Sequence, residues 1–329
     1  MNSGFRKILK AVPGIVLLVL LNSCISEMEY PEEFFVDLLV VNSIIDPDSL
    51  VQVNVSQSLL PNGKVEFVYV DDADVALTND NSIEPESFLY KNLGWYQNQD
   101  IQIYAGKEYS LEVRSSQSPS ISSNTLVPEK PSISDVNING DSVSFKIVDD
   151  GSREDYYIVT LYGWKRNSEL IQREDGSYTY TEDTIYHRIS TISKEEYVEA
   201  YFDGRYGWVN NLTGFTYDDE FWDVKPDFEA ESFIFSDHLI NGKTIDFNIE
   251  VDMLNFLYPD RIPAFELRVH KIDINYYEYL ISVAEYLTTD ETPLIERAIV
   301  YNNIVGGYGV FGSQNGVSES IFFADLTNQ

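Results

Sequence analysis

Few residues in this 329-residue chain have the type and spacing to do chemistry. It holds one cysteine, Cys24, so no disulfide forms within the chain. A lone thiol directly after Leu21-Asn22-Ser23 suits thioether lipidation better than pairing. The histidines His187, His238 and His270 are far apart, with no HExxH or paired spacing. Zinc and Ser-His-Asp sites need convergent ligands, so no metal site, cofactor or catalytic residue is expected. Acid pairs such as Asp71-Asp72 and Asp218-Asp219 arise without selection among 54 acidic residues, and no glycosidase dyad is assigned. The expectation is a protein that is not an enzyme.

Two motifs imitate ligand loops. Asp135-Val-Asn137-Ile-Asn139-Gly140 opens like a calcium loop, but Lys146 stands where the bidentate Glu belongs, and Val136, Ile138, Val143, Phe145 and Ile147 alternate as a hairpin around Asn-Gly. Gly306-Gly307-Tyr308-Gly309 lacks the Lys-Ser/Thr of a phosphate loop. It fits a turn or bulge where two backbones come close. Short Asp-Ser/Thr-aliphatic matches at Ser49, Ser142 and Thr184 offer sites for O-glycosylation.

The stretch with the strongest binding character is the aromatic-acidic region 195–228. Its candidate contact residues are Tyr206, Trp208, Phe221 and Trp222, interspersed with Gly and Asp. Flat rings beside hydrogen-bonding acids suit a sugar, a peptide or another protein. The same rings could instead complete a core, and the sequence leaves both readings open.

The elements that position these residues are mainly β. From Val36 to Val113, short β-branched or aromatic runs alternate with turn residues, as in Val51, Val53 and Val55. Ile101–Tyr104 and Tyr109–Val113 flank Ala105–Glu108 as a hairpin. Pro128 and Pro131 end this unit. A second β region follows, with strands at Tyr156–Tyr162, Phe233–Phe235 paired to Ile245–Val251, and Phe265–Ile272. One helix is expected over Tyr276–Leu287, capped by Asn275 and covering a sheet. Ile299–Tyr301 and Ser320–Phe323 would close the fold as strands around the glycine stretch. The fold class is therefore two tandem β-sandwich regions of immunoglobulin or fibronectin-III type, with one short helix in the C-terminal part. They span residues 36–128 and 129–329, the second carrying an aromatic insertion at 164–231.

The N-terminus sets the expected location. Arg6, Lys7 and Lys10 precede an apolar run of about eleven residues, roughly half what a spanning helix needs. Residues 1–23 thus form a signal peptide. Leu21-Asn22-Ser23-Cys24 resembles a lipobox, and residues 24–35 form a lipidated acidic tether. Several acyl chains on Cys24 hold stably in a bilayer where one holds weakly. Glu27 and Glu29 resemble a surface-export signal, and the alternative is a solvated linker facing the periplasm. With 22 basic against 54 acidic residues the net charge is −32, which argues against nucleic acid and anionic membrane faces as partners.

The run Tyr301-Asn-Asn303-Ile304-Val-Gly306-Gly307-Tyr-Gly309-Val-Phe311-Gly312 resembles the C-terminal signature of the DUF4249 family. Leu39–Val41, Val51–Ser58, Asp149 to Tyr157, Asp237 with Asn241-Gly242-Lys243, and Tyr276–Leu287 fall in the family's order. The resemblance implies an outer-membrane lipoprotein of Bacteroidota, lipid-anchored through Cys24 and facing the cell exterior. It also implies a TonB-dependent outer-membrane transporter as partner, with an accessory role in substrate capture or gating. The competing expectation is a structural or adhesive β-sandwich lipoprotein of the cell envelope.

Overall fold

The computed structural model describes residues 38–58, 68–80, 84–116, 118–139, 142–167, 170–172, 177–180, 185–190, 207–210, 231–238, 241–250, 264–290 and 298–322. The first nine strands are β1 (Leu39–Ile45), β2 (Val51–Gln57), β3 (Asp74–Asn79), β4 (Glu86–Ser87), β5 (Leu89–Tyr90), β6 (Trp95–Asn98), β7 (Glu108–Arg114), β8 (Ile121–Leu126) and β9 (Ser132–Asn139). The next nine are β10 (Ser142–Val148), β11 (Tyr156–Asn167), β12 (Leu170–Gln172), β13 (Tyr178–Tyr180), β14 (Ile185–Ser190), β15 (Gly207–Asn210), β16 (Glu231–Ser236), β17 (Thr244–Glu250) and β18 (Ala264–Ile272). Helix α1 (Ile274–Asp290) and strand β19 (Tyr308–Phe322) complete the order. The protein is thus mostly β with one described helix.

Period-two patterning builds two hydrophobic cores. In the first, Leu39, Val41 and Ile45 of β1 and Val51, Val53 and Val55 of β2 point inward, facing Tyr109, Leu111 and Val113 of β7 and Ile121 of β8. The facing sheet runs β4-β3-β7-β8. In the second core, Val143, Phe145 and Ile147 of β10 and Ile245, Phe247 and Ile249 of β17 meet Tyr157, Val159 and Leu161 of β11 and Leu267 and Val269 of β18. Phe145 stacks on Phe247 at 4.8 Å. Each such side chain, fully buried, contributes about 1.5–3 kcal/mol.

One strand joins the two halves. The large sheet runs β15-β16-β11-β18-β19-β1-β2-β6-β5, with β14 added beside β11. The first part of β19 lies parallel to β1, from Val40↔Tyr308 to Ile45↔Ser313. Its second part lies antiparallel to β18, from Ile272↔Gln314 to Ala264↔Phe322. Ile304 and Phe311 accordingly pack in the first core, although they come from the C-terminal region. Asp37–Gln329 forms one compact unit.

Several sequence expectations need correction. The run 101–104 is not a strand, and both edges of β7 are taken, by β3 and β8. Phe233–Phe235 and Ile245–Glu250 do not pair. Strand β16 joins β11 and β15 in the large sheet, while β17 joins β10 in the small one. Residues 299–301 are not a strand, and the glycine stretch instead opens the long β19. The helix begins at Ile274, and its cap is Asp273 rather than Asn275. The Asp273 carboxylate accepts the Asn275 and Tyr276 N–H groups, both at 3.2 Å, and the Ser313 N–H at 2.9 Å. The helix does cover the large sheet, through Tyr277, Leu280 and Ile281 against Ile234 and Ile272. The β9–β10 hairpin forms, with a bulge at Ser144/Lys146. Opposite it Asp135 adopts φ 53° and pairs with Lys146 at 2.8 Å, a device that blunts an exposed edge.

Candidate functional site

Where the two sandwiches meet, a cleft of about 500 Å³ opens. One wall is the free edge of β8 from Asn124 to Leu126, followed by Pro128. The other is the 153–156 turn into β11, and the start of α1 closes the end. A free strand edge carries unpaired backbone groups, and side chains from the second half cover them here. Asn275 Nδ2 donates to Asn124 O at 3.0 Å and Ser313 Oγ to Leu126 O at 2.9 Å. Asn315 Nδ2 donates to Pro128 O at 2.9 Å. The wall is thereby fixed while two apolar side chains in it stay open, Leu126 at 46% and Ile274 at 44% exposure. Arg153, Glu154 and Glu108 supply charge at the rim.

Behind this turn lies a buried charged network. Asp149 follows β10, Asp155 precedes β11, Asp237 follows β16 and Lys271 sits on β18, all buried. Asp149 Oδ2 accepts the Gly242 N–H at 2.6 Å and the Gly151 N–H at 3.1 Å, and its Oδ1 accepts the Tyr157 hydroxyl at 2.9 Å. Lys271 Nζ donates to Asp155 Oδ2 and lies 3.9 Å from Asp149 Oδ1. Arg153 Nε donates to Asp155 Oδ1 at 2.9 Å. Asp237 Oδ1 accepts the Asp155 N–H at 2.9 Å.

Environment separates these carboxyls. Burial works against ionisation of Asp149, but hydrogen bonds from Gly242, Tyr157 and Gly151 and the Lys271 charge outweigh it and hold its pKa below the ordinary value. Burial, joined by the neighbouring Asp149 and Asp155 charges, pushes Asp237 up to about 7 despite the Asp155 N–H. Burial and the bond to Asp149 raise the Tyr157 hydroxyl, which stays protonated. Oxygens of Asp149, Asp150 and Asp155 come within 4.8 Å of one another. The cation beside the two buried ones is the Lys271 ammonium, so the cluster is an ion-pair centre.

The sequence did not point to this network, because its members are spread from 149 to 271 and no local spacing links them. Their only signal was the recurrence of Asp149, Asp237 and Asn241-Gly242-Lys243 as landmarks. Of the residues the sequence did single out, Cys24, Glu27, Glu29, Tyr206, Phe221 and Trp222 lie outside the described residues. Trp208 falls on β15, paired across to Phe233 at the end of the large sheet. The histidines stay apart. His187 is on β14, exposed His238 meets Glu154 Oε2 through Nδ1 at 3.2 Å, and His270 packs on Gly316.

The glycine stretch acts structurally. Asn303 brackets Phe311, donating from Nδ2 to its carbonyl at 2.7 Å and accepting its N–H at 3.0 Å. Asn302 accepts the Ile304 N–H at 3.1 Å and donates to Gly307 O at 3.1 Å. At Gly309, φ is 112°, and a Cβ there would sit 2.0 Å from Val41 O. Only glycine lets β19 lie this close to β1.

Residues 25–320 match a family described as a domain of unknown function, DUF4249. The chain belongs to the DUF4249 family. No curated protein matches it. Among solved structures, this DUF4249 chain is similar to the FN1–FN3 domains of chicken CNTN1 at 10% identity and a TM-score of 0.21, covering 86% of this chain and 68% of that one. It is also similar to a protein of Corynebacterium diphtheriae described as membrane-anchored, at 11% identity and a TM-score of 0.20, covering 84% of this chain and 60% of that one. At such TM-scores neither likeness bears on function. Among the described residues, no helix is long and apolar enough to cross a membrane, which says nothing of a β-barrel.

Proposed function

We propose that this DUF4249 protein is a non-catalytic lipoprotein of the outer membrane, anchored through Cys24 and exposed at the surface. There it assists a TonB-dependent transporter in substrate capture or gating. The observation that carries the reading is the cleft, a concave site at the junction of two sandwiches with apolar lining at Leu126 and Ile274 and charged lining at Arg153 and Glu154. Ligand sites commonly have this make-up and this position between packed units. The lipobox-like Leu21–Cys24 and the acids Glu27 and Glu29 support the location. Trp208 and Trp222 remain the proposed docking residues toward the transporter.

The test is purification of the full lipidated protein from outer membranes, beside Cys24→Ala, Leu126→Glu/Ile274→Glu and Trp208→Ala/Trp222→Ala. Wild type is expected to carry a palmitate-analogue label and to bring down a transporter. Cys24→Ala loses the label, and the tryptophan pair loses the transporter without a change in thermal unfolding. The cleft-blocked pair is expected to fold normally and to fail in substrate uptake. A labelled Cys24→Ala protein, or wild type that purifies without a transporter, overturns the proposal.

A further inference from the structure

We infer that Asp149 and Asp237 share one proton as a buried carboxyl–carboxylate pair, forming a latch between the two sheets of the second sandwich that opens when the proton leaves. Asp237 is fully buried, and its Oδ2 has no hydrogen-bond partner. An unsatisfied buried polar atom is costly, and a bare buried carboxylate oxygen more so. The carboxylate next to it in the network, joined through Asp155 and Lys271, is that of Asp149, which is itself an acceptor. Two acceptors facing each other become a hydrogen bond only when one carries a proton. Asp149 is the acceptor, since three donors already stabilise its charge and a carboxylate has about four acceptor positions.

Charge balance gives the same answer. Around the pair stand Lys271 from β18, Asp155 from the turn into β11 with its own partner Arg153, and the neutral Tyr157 from β11 itself. Three buried carboxyls thus meet one buried ammonium and one half-exposed guanidinium. A single proton makes the group neutral. The remaining charged groups nearby are exposed: Asp150 after β10, Glu154 bonded to His238, and Lys243 before β17. His270 is the strand neighbour of Lys271 and packs on the opposite face, against Gly316.

The pair spans the sandwich. Asp149 and its donor Gly242 belong to the ends of β10 and β17 in the small sheet, whereas Asp237, Asp155 and Lys271 belong to the large one. Losing the proton places a second full charge beside Asp149 with no donor for Oδ2. The ends of the two sheets then repel, at the turn whose residues 153–156 wall the cleft. With Asp237 raised from 3.8 to about 7, the folded chain holds this proton roughly a thousandfold more tightly than a free side chain does. The sign follows: the added stability is complete below the ordinary Asp value and is lost as pH rises through about 7.

The test is urea unfolding of the full-length protein at several pH values from about 5.5 to 8.5, beside Asp237→Asn, whose amide can donate to Asp149 and cannot ionise. Wild type is expected to lose stability across this window. Asp237→Asn should remove most of that loss and be the more stable of the two at the alkaline end. Equal pH slopes in the two proteins overturn the inference. Should Asp237→Asn fail to fold, infrared difference spectra of wild type decide. The C=O band of a buried protonated carboxyl must be present at the acid end and disappear toward the alkaline end, and a spectrum without it refutes the shared proton.

Discussion

Gly309→Ala tests whether the glycine stretch exists to seat one strand against another. Gly309 has φ 112° and lies in register with Val41. An alanine there meets two separate penalties. Holding a side-chain-bearing residue in so sparsely populated a conformation costs about 1–3 kcal/mol. The added methyl would also stand 2.0 Å from Val41 O, a distance no rotamer change relieves because the backbone fixes the methyl's position and Val41 O is itself backbone. Strand β19 must then shift away from β1, and each buried ladder bond left unmade costs a further ~1–3 kcal/mol. The total is about 3–5 kcal/mol, a large part of the roughly 5–15 kcal/mol by which a domain is stable. Gly306→Ala is the control, because its φ is 83° but its nearest foreign atom, Ser120 O, is 3.4 Å away. It should show a conformational cost of about 1–2 kcal/mol and no more. Urea unfolding followed by tryptophan fluorescence measures both. If Gly309→Ala is no worse than Gly306→Ala, close packing of β19 on β1 is not what the glycine serves, and a direct ligand role for the stretch must be considered.

Three further outcomes are expected. Lys271→Met leaves Asp149 and Asp155 without their buried counter-charge and should destabilise by about 3–5 kcal/mol; adding Asp155→Asn should recover part of this, as read by urea midpoints. Asn303→Ala removes both hydrogen bonds to Phe311 and should cost about 1–3 kcal/mol, with faster amide exchange at Phe311. Replacing Glu27 and Glu29 by Ala should lower digestion by protease added to intact cells while membrane attachment stays constant.

The sequence made some parts of this architecture legible and hid others. Val51, Val53 and Val55, like Val143, Phe145 and Ile147, show their inward face directly, because a half-buried strand alternates apolar and polar residues. The helix was legible too, although the side chains it buries, Tyr277, Leu280 and Ile281, are rotated from the Tyr276, Leu280 and Val283 face that the spacing favours. Its true start was not, since Asn275 is an ordinary cap residue and only the contact between Asp273 and Ser313 N–H shows which side chain does the capping. The separation of β16 from β17 is hidden for a related reason. Two strands flanking Asn241-Gly242 suggest a hairpin, but the turn is tied through Gly242 to Asp149, which sends the two strands to opposite sheets. The charged network was illegible because burial, and not spacing, makes its carboxyls unusual. The cleft was hidden too, being formed by residues such as Leu126 and Ile274 whose meeting depends on the path of β19.

That path bears on how the chain can be made. Gln314 Nε2 bonds Asp46 Oδ2 across 268 residues, and β1 finds its parallel neighbour only in the last strand. Proteins rich in such distant pairings fold slowly, and domains usually fold in order as they emerge during synthesis. Here the first core lacks Ile304 and Phe311 until the C-terminal strand arrives, so the N-terminal half cannot finish early. Until β19 is in place, β1 keeps one edge unpaired and the first core stays short of two of its side chains. Truncation ahead of β19 should therefore leave both halves incomplete instead of yielding one intact sandwich.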